Sequence, residues 1–176
     1  MGQLLEILGF NKVKEGHERA KKEAELKKKI YKHLLEREGY RDVVYADSLG
    51  KLTGGVGHLI VPSDNLGDTV SVGDPIHRAT IERWLHQDTE KAYRAAVQQA
   101  SEIGIETDDF ILALTSVNFQ LGTKWTKKFR TSYPNLVKGK WKQAIVGFKG
   151  SLWNKQTPVR VKDFVEAIEK AFTEDH

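Results

Sequence analysis

Hydrophobic positions are sparse at the start of the chain and become periodic only later. Between residues 12 and 38 there are ten Lys/Arg and six Glu, and acid precedes base by four residues at Glu15/Arg19, Glu18/Lys22, Glu23/Lys27 and Glu25/Lys29. That spacing puts opposite charges one turn apart on a helix surface, so the pattern predicts a solvated basic helix. Apolar side chains join it at Leu26, Ile30, Leu34 and Leu35, which confines its packing to the final turns. Gly16 is placed to interrupt this helix, and Gly39, directly after Glu38, to cap its end.

The period changes after Gly39. Arg41 to Ala46 reads as a strand, Ser48-Leu49-Gly50-Lys51 as a turn and Leu52 to Gly57 as the returning strand, which together make a β-hairpin. The glycines at 54, 55 and 57 weaken a strand unless a backbone or ligand must come close there. Residues 61 to 76, with Pro62, Gly67, Gly73 and Pro75, read as loop with one short strand.

Helical period returns with Ile81, Trp84, Leu85, Ala92 and Ala96. Thr107 is then positioned to cap a helix whose face is Phe110, Leu114, Val117 and Leu121, ended by Gly122. From 123 to 153 the apolar residues Trp125, Phe129, Tyr133, Leu136, Trp141, Ile145, Phe148 and Trp153 are spaced as short helices broken at Pro134, Gly139, Gly147 and Gly150. Thr157-Pro158 sets a cap before a proline suited to the first helical position, and Val161, Phe164, Val165, Ile168 and Phe172 form the face of a last helix. The four tryptophans read as core residues. The map is α+β: a basic helix, a β-rich piece from about 39 to 76, and a helical body, with a cleft between the two lobes.

Composition narrows this little further. With 176 residues, 39% apolar and 30% charged, the chain suits one folding unit with a sizeable core. The absence of cysteine excludes disulfides, thiolate metal sites and a cysteine nucleophile, and fits synthesis in a reducing cytoplasm. A net charge of +4 and a pI near 9.1 favour acidic partners. No apolar run approaches a membrane span, and the opening residues lack the basic flank and cleavage site of a signal peptide.

The chemistry concentrates in Glu38 to His58. Two carboxylates and a hydroxyl recur there at fixed intervals, Glu38, Asp47 and Thr53, and the stretch closes on Gly55-Val56-Gly57-His58. Glycoside hydrolysis needs a protonated acid for the leaving oxygen and a second carboxylate to direct water or attack the sugar. Glu38 and Asp47 would supply that pair. On spacing alone the plainer reading prevails: a solvated helix end, a turn opener and a strand residue. The six histidines show no HExxH or paired metal spacing, so a zinc site is not expected. There is no GxSxG, and Gly54 to Gly57 is not a dinucleotide fingerprint. A nucleic-acid module would require a stronger positive stripe with interleaved aromatics.

The pattern Glu-x8-Asp-x5-Thr followed by Gly-x-Gly-His resembles, in residue type and every interval, the lysozymes of T-even bacteriophages, glycoside hydrolase family 24. The likeness continues through His86-Gln87-Asp88, Val117 to Gly122, Trp141 with its neighbours, and Ser151-Leu152-Trp153 through Gln156 to Arg160. It covers the chain from about residue 28 to the last helix. The resemblance implies a lysozyme domain over 28–176, with its β-rich lobe at about 39–76 and its helical lobe at 28–38 and 77–176, and a basic extension over 1–27. It implies a muramidase that cleaves the β-1,4 bond between N-acetylmuramic acid and N-acetylglucosamine in peptidoglycan, with inversion and no cofactor. Glu38 matches the general acid, and Asp47 with Thr53 the pair that activates water. His58 and Asp88 match a structural ion pair, Arg160 the arginine that supports the catalytic glutamate, and Leu59, Phe119 and Gln120 the positions in contact with glycan.

Some positions depart from the pattern. Gly54 stands where relatives carry a β-branched or aliphatic residue, Leu49 replaces a polar one, and residues between Ile60 and Ile76 do not align. The resulting expectation is a monomeric phage-type endolysin, made in the host cytoplasm and acting on the periplasmic wall, with residues 12–37 free to touch an anionic envelope. The alternative is a non-catalytic glycan- or envelope-binding module of the same fold.

Overall fold

The structure, a computed structural model, describes residues 2–67 and 69–174, with side chains from residue 12 onward. The chain opens with α1 (Gly2–Glu38), which passes through Gly16 without a break. Gly16 has open space around it, and its cost is the ordinary helix penalty of roughly 1 kcal/mol, too little to split a helix carried by its neighbours. Glu23 and Lys27 close at 2.8 Å, and Lys27 reaches on to Glu90 at 2.7 Å. Burial along α1 begins at Leu26 and continues at Ile30 and Leu34, while Leu35 stays exposed. Gly39 then adopts φ +73° and its N–H bonds the Leu35 carbonyl at 3.1 Å. This left-handed cap ends the helix one residue after Glu38.

The sheet has three strands in sequential order, β1 (Arg41–Ala46), β2 (Leu52–Gly55) and β3 (His58–Leu59). The returning half of the expected hairpin is thus split. Gly55 and Gly57 take left-handed φ values of +61° and +66°, so the chain turns at Val56-Gly57 and doubles back as β3. Past a single 3-10 turn at Pro62–Asp64, Val43 bridges Pro75, and Ile76 N–H bonds the Asp42 carbonyl at 2.7 Å.

The helical body follows: α2 (Arg78–Ile103), α3 (Asp108–Leu121), α4 (Trp125–Lys128), α5 (Ser132–Val137), α6 (Trp141–Lys149), α7 (Leu152–Gln156) and α8 (Pro158–Thr173). Thr107 caps α3 by accepting from Phe110 N–H. Two expected breakers lie inside helices instead. Pro134 occupies the first turn of α5, where no intrahelical N–H is required of it. Gly147 lies within α6 because any Cβ there would collide with Ser132. Thr157 precedes α8 without a side-chain cap; its hydroxyl is taken by Gln120 and by the Trp153 carbonyl.

Two apolar clusters result. The larger gathers α1, α3 and α8 and the short helices around Trp125, Phe148 and Phe164. The smaller joins Val44 and Val56 of the sheet lobe to Ile76, Ile81 and Trp84. Phe119 touches both, at the seam between the lobes. Three tryptophans are buried, whereas Trp141 is half-buried and stacks on Phe172. Among the described residues no helix is long and apolar enough to cross a membrane.

Gly54 is explained by the smaller cluster. A Cβ at this position would collide with Ile76 Cδ1 and stand 3.5 Å from Ile60 Cδ1 and 3.6 Å from Trp84. Ile76 occupies the volume that a branched side chain at 54 would fill, so the residue missing from the strand is replaced by one from the following loop.

Candidate active site

Glu38 comes to its place as the last residue of α1, half-buried, with its carboxylate turned toward the helical body. Arg160 Nη1 donates to Glu38 Oε1 at 2.6 Å, and Nη2 donates to the Ser116 carbonyl and hydroxyl at 3.0 and 2.9 Å. Arg160 is only 7% exposed. A guanidinium so placed cannot reorient without orphaning a charge, which makes the pair a rigid clamp on the carboxylate. The other carboxylate oxygen faces Gly57, where a Cβ would stand 3.0 Å from Glu38 Oε2. The glycine therefore keeps the turn both left-handed and close to the acid.

Asp47 is organised differently, by its own neighbours. Its Oδ1 accepts from the N–H groups of Leu49 and Lys51, both at 2.8 Å, the local side-chain turn typical of aspartate. Its own N–H bonds the Lys51 carbonyl at 2.9 Å, and Thr53 Oγ1 donates to that same carbonyl at 3.1 Å. Thr53 pairs with Tyr45 across the sheet, and Tyr45 is two residues from Asp47. Cross-strand pairing thus puts Tyr45 and Thr53 on one face of the sheet, with Asp47 just past the end of β1. Leu49 contributes its backbone N–H to this turn while its side chain is exposed, so the departure at that position leaves the Asp47 turn intact.

The structure brings His58 and Asp88 together, His58 Nδ1 lying 2.6 Å from Asp88 Oδ2. It adds two partners that the sequence did not signal. Asp64 Oδ2 lies 3.1 Å from His58 Nε2, and the imidazole stacks on Trp84 at 4.2 Å. Burial alone would lower the His58 pKa, but its hydrogen bonds to Asp88 and Asp64, and their charges, outweigh that and hold it above its ordinary value. Asp64 follows His58 by six residues, and that short interval between two ionisable side chains is the one signal that would have found the contact.

A groove of about 450 Å³ runs along the seam between the lobes, lined among others by Lys51, Gly57, His58, Leu59, Phe119 and Gln120. Leu59 is exposed and Phe119 half-buried. The Gln120 amide is fixed on both sides: Trp153 Nε1 donates to its oxygen at 2.9 Å and its nitrogen donates to Thr157 at 2.9 Å. Gly57 and Lys51 link the groove to the two carboxylates, the first through Glu38 and the second through Asp47. Tyr45 also belongs to this region. Burial raises its phenol pKa, Arg41 lowers it, and both Glu38 and Asp47 raise it, so the ring lies within electrostatic reach of both acids.

A family model described as phage lysozyme matches residues 35–167. The chain is 30% identical over 142 residues to the peptidoglycan hydrolase gp36 of Pseudomonas phage phiKMV, an alignment covering 80% of this chain and 15% of that protein. It is 26% identical over 151 residues to a probable T4-type lysozyme 2 of Dictyostelium discoideum, covering 75% of this chain and 88% of that one. The chain thus spans a small part of the phage hydrolase and nearly the whole of the amoebal protein. With the helix-end glutamate, the aspartate hairpin and the seam groove all lying within the matched residues, this chain belongs to the phage lysozyme family.

Proposed function

We propose that the chain hydrolyses peptidoglycan as a muramidase, cleaving the β-1,4 bond between N-acetylmuramic acid and N-acetylglucosamine with inversion. The observation that carries this reading is the contrast between the two carboxylates: Glu38 is clamped through Oε1 by Arg160, while Asp47 is held through Oδ1 by two backbone amides.

In this reading a glycan strand lies in the seam groove over Leu59, Phe119 and Gln120. Glu38 gives its proton to the leaving glycosidic oxygen from Oε2, the oxygen not bound to Arg160. Asp47 Oδ2 has neither amide on it and accepts one proton of a water. Thr53 donates its hydroxyl proton to the Lys51 carbonyl, so its oxygen is left to accept a hydrogen bond from the other, which stays on the attacking oxygen. A water held by both acceptors has its lone pair aimed at the anomeric carbon. Inversion requires the carboxyl groups to stand about 6.5–9.5 Å apart, which leaves room for that water. His58 and Asp88 serve stability. Residues 28–176 form the catalytic domain and 1–27 a basic extension, and the solvent-facing side of residues 12–37 is available to an anionic envelope. The setting is a phage endolysin acting on the bacterial wall from inside.

Two measurements test the reading. The purified chain should clear outer-membrane-permeabilised Gram-negative cells, and Glu38→Gln should lower that rate by about 10²- to 10⁴-fold. Mass spectra of the products should show hydrated reducing ends. Anhydro-sugar products would make the enzyme a transglycosylase, and binding to peptidoglycan without turnover would make the chain a binding module.

A further inference from the structure

At the Arg160–Ser116 end of the Glu38 clamp lies a second cavity of about 290 Å³ between α1, α3 and α8. His33 of α1 enters it one helical turn and a residue before Glu38. Its Nε2 lies 3.2 Å from Ser116 Oγ, the same hydroxyl that receives Arg160 Nη2 at 2.9 Å. Arg160 can only donate. The Ser116 proton is therefore free to point away from the guanidinium, and His33 Nε2 is the acceptor in its path. That order, Arg160 to Ser116 to His33, requires a neutral imidazole with an unprotonated Nε2.

We propose that His33 is a positioning residue for Glu38, acting through Ser116 and Arg160 to fix the guanidinium that orients the acid. A protonated His33 would present a donor to a hydroxyl that already receives one, orphan the Ser116 proton and set a second positive charge behind Arg160. The inference rests on Glu38 being the general acid.

The charged groups around the ring agree with a neutral resting state. On α1 these are Glu36 and Arg37, and on α8 Arg160, Asp163 and Glu166; on α3, Asp109 lines the cavity. Asp163 would favour protonation, but it lies 4.0 Å from Nε2 and is engaged by Arg37 through two hydrogen bonds, at 2.6 and 2.9 Å. Burial lowers the His33 pKa first. Asp163 opposes this, Arg160 and Arg37 lower it further, and Glu36 opposes weakly.

The test is a double-mutant cycle on kcat and KM with peptidoglycan across pH. His33→Leu removes the acceptor and should lower kcat about fivefold to tenfold, the worth of one hydrogen bond, with KM unchanged. Ser116→Ala should cost a similar factor, and the double variant should cost no more than either alone. His33→Gln, which restores an acceptor, should recover most of the lost kcat and remove the fall in rate that wild type shows as His33 protonates. Fully additive losses, or a pH profile identical in wild type and His33→Gln, would overturn the proposal. Thermal melts of each variant separate lost folding from lost positioning. If Glu38→Gln retains activity, the acid assignment fails; if Glu38→Gln is inactive and the His33 and Ser116 losses add, only the His33 proposal fails.

Discussion

Glu38 and the Asp47–Thr53 pair are the two halves of the proposed site, and they are held by opposite means. The side-chain hydrogen bonds of Asp47 and Thr53 run to the backbone of Leu49 and Lys51, so the hairpin carries its own half wherever it folds. Glu38 is fixed by Arg160, which stands 122 residues away along the chain and is itself anchored on Ser116 of α3. A local half costs little chain entropy to assemble, whereas the distant half exists only once α1, α3 and α8 have packed. On the proposed reading the difference separates catalysis from stability: altering the hairpin acid should leave the fold untouched, and altering the helix-end acid or its clamp should not.

Arg160→Ala should break the distant half most severely. It leaves a half-buried carboxylate and the Ser116 carbonyl without their donor, at about 3 kcal/mol, toward the lower end for a broken buried pair because Glu38 keeps some solvent. Chemical denaturation would read the loss, and cell clearing should fall with it. A midpoint within experimental error of wild type would mean that the clamp is not structural.

Gly54→Val comes next. The added methyl groups press on Ile76, and the overpacking should cost about 1–3 kcal/mol. Combining it with Ile76→Ala should return part of that, since the two residues share one volume. Full additivity in the double variant would show that they do not.

The His58 cluster has a smaller, pH-dependent effect. Because His58 has a raised folded-state pKa, its stabilisation is complete below its unfolded value of about 6.5 and is lost as pH rises through the folded value. The Tm should therefore fall by about 2–4 °C across that interval if the group contributes about 1 kcal/mol. Asp88→Asn should flatten this dependence; an unchanged slope would remove Asp88 from the linkage.

Asp47→Asn should change stability least, by under about 0.5 kcal/mol. The asparagine Oδ1 still accepts from Leu49 and Lys51. Clearing of cells should nevertheless fall by about 10² or more, since the amide no longer accepts a proton from water. An Asp47→Asn protein that unfolds, or one that remains active, would erase the contrast between the halves.

Much of this was legible in the sequence because it is local. The Gly39 cap and the Thr107 cap are written within a few residues, and both appear in the structure. So does the turn opened by Asp47. Of the four acid-before-base pairs expected on α1, Glu23–Lys27 closes as an ion pair. The misreadings share one cause. Gly16, Pro134 and Gly147 are helix breakers by intrinsic preference, but the penalty is small beside the packing of the helices that contain them, or does not arise at the position occupied. Gly54 looked like a weakness because its filler, Ile76, lies 22 residues further on.

The sequence by itself determined the fold class, the hairpin and the order and spacing of Glu38, Asp47 and Thr53, since periodicity, turn chemistry and short intervals are properties of neighbouring residues. Only the tertiary structure decided that Ser116 anchors the Arg160 that holds Glu38, that Gly57 presses against its free oxygen, that Asp64 joins His58, and that His33 stands behind the clamp. These contacts join segments whose separation along the chain carries no periodic signal, and they form because burying the apolar faces of α1, α3 and α8 together leaves their polar groups no other partners.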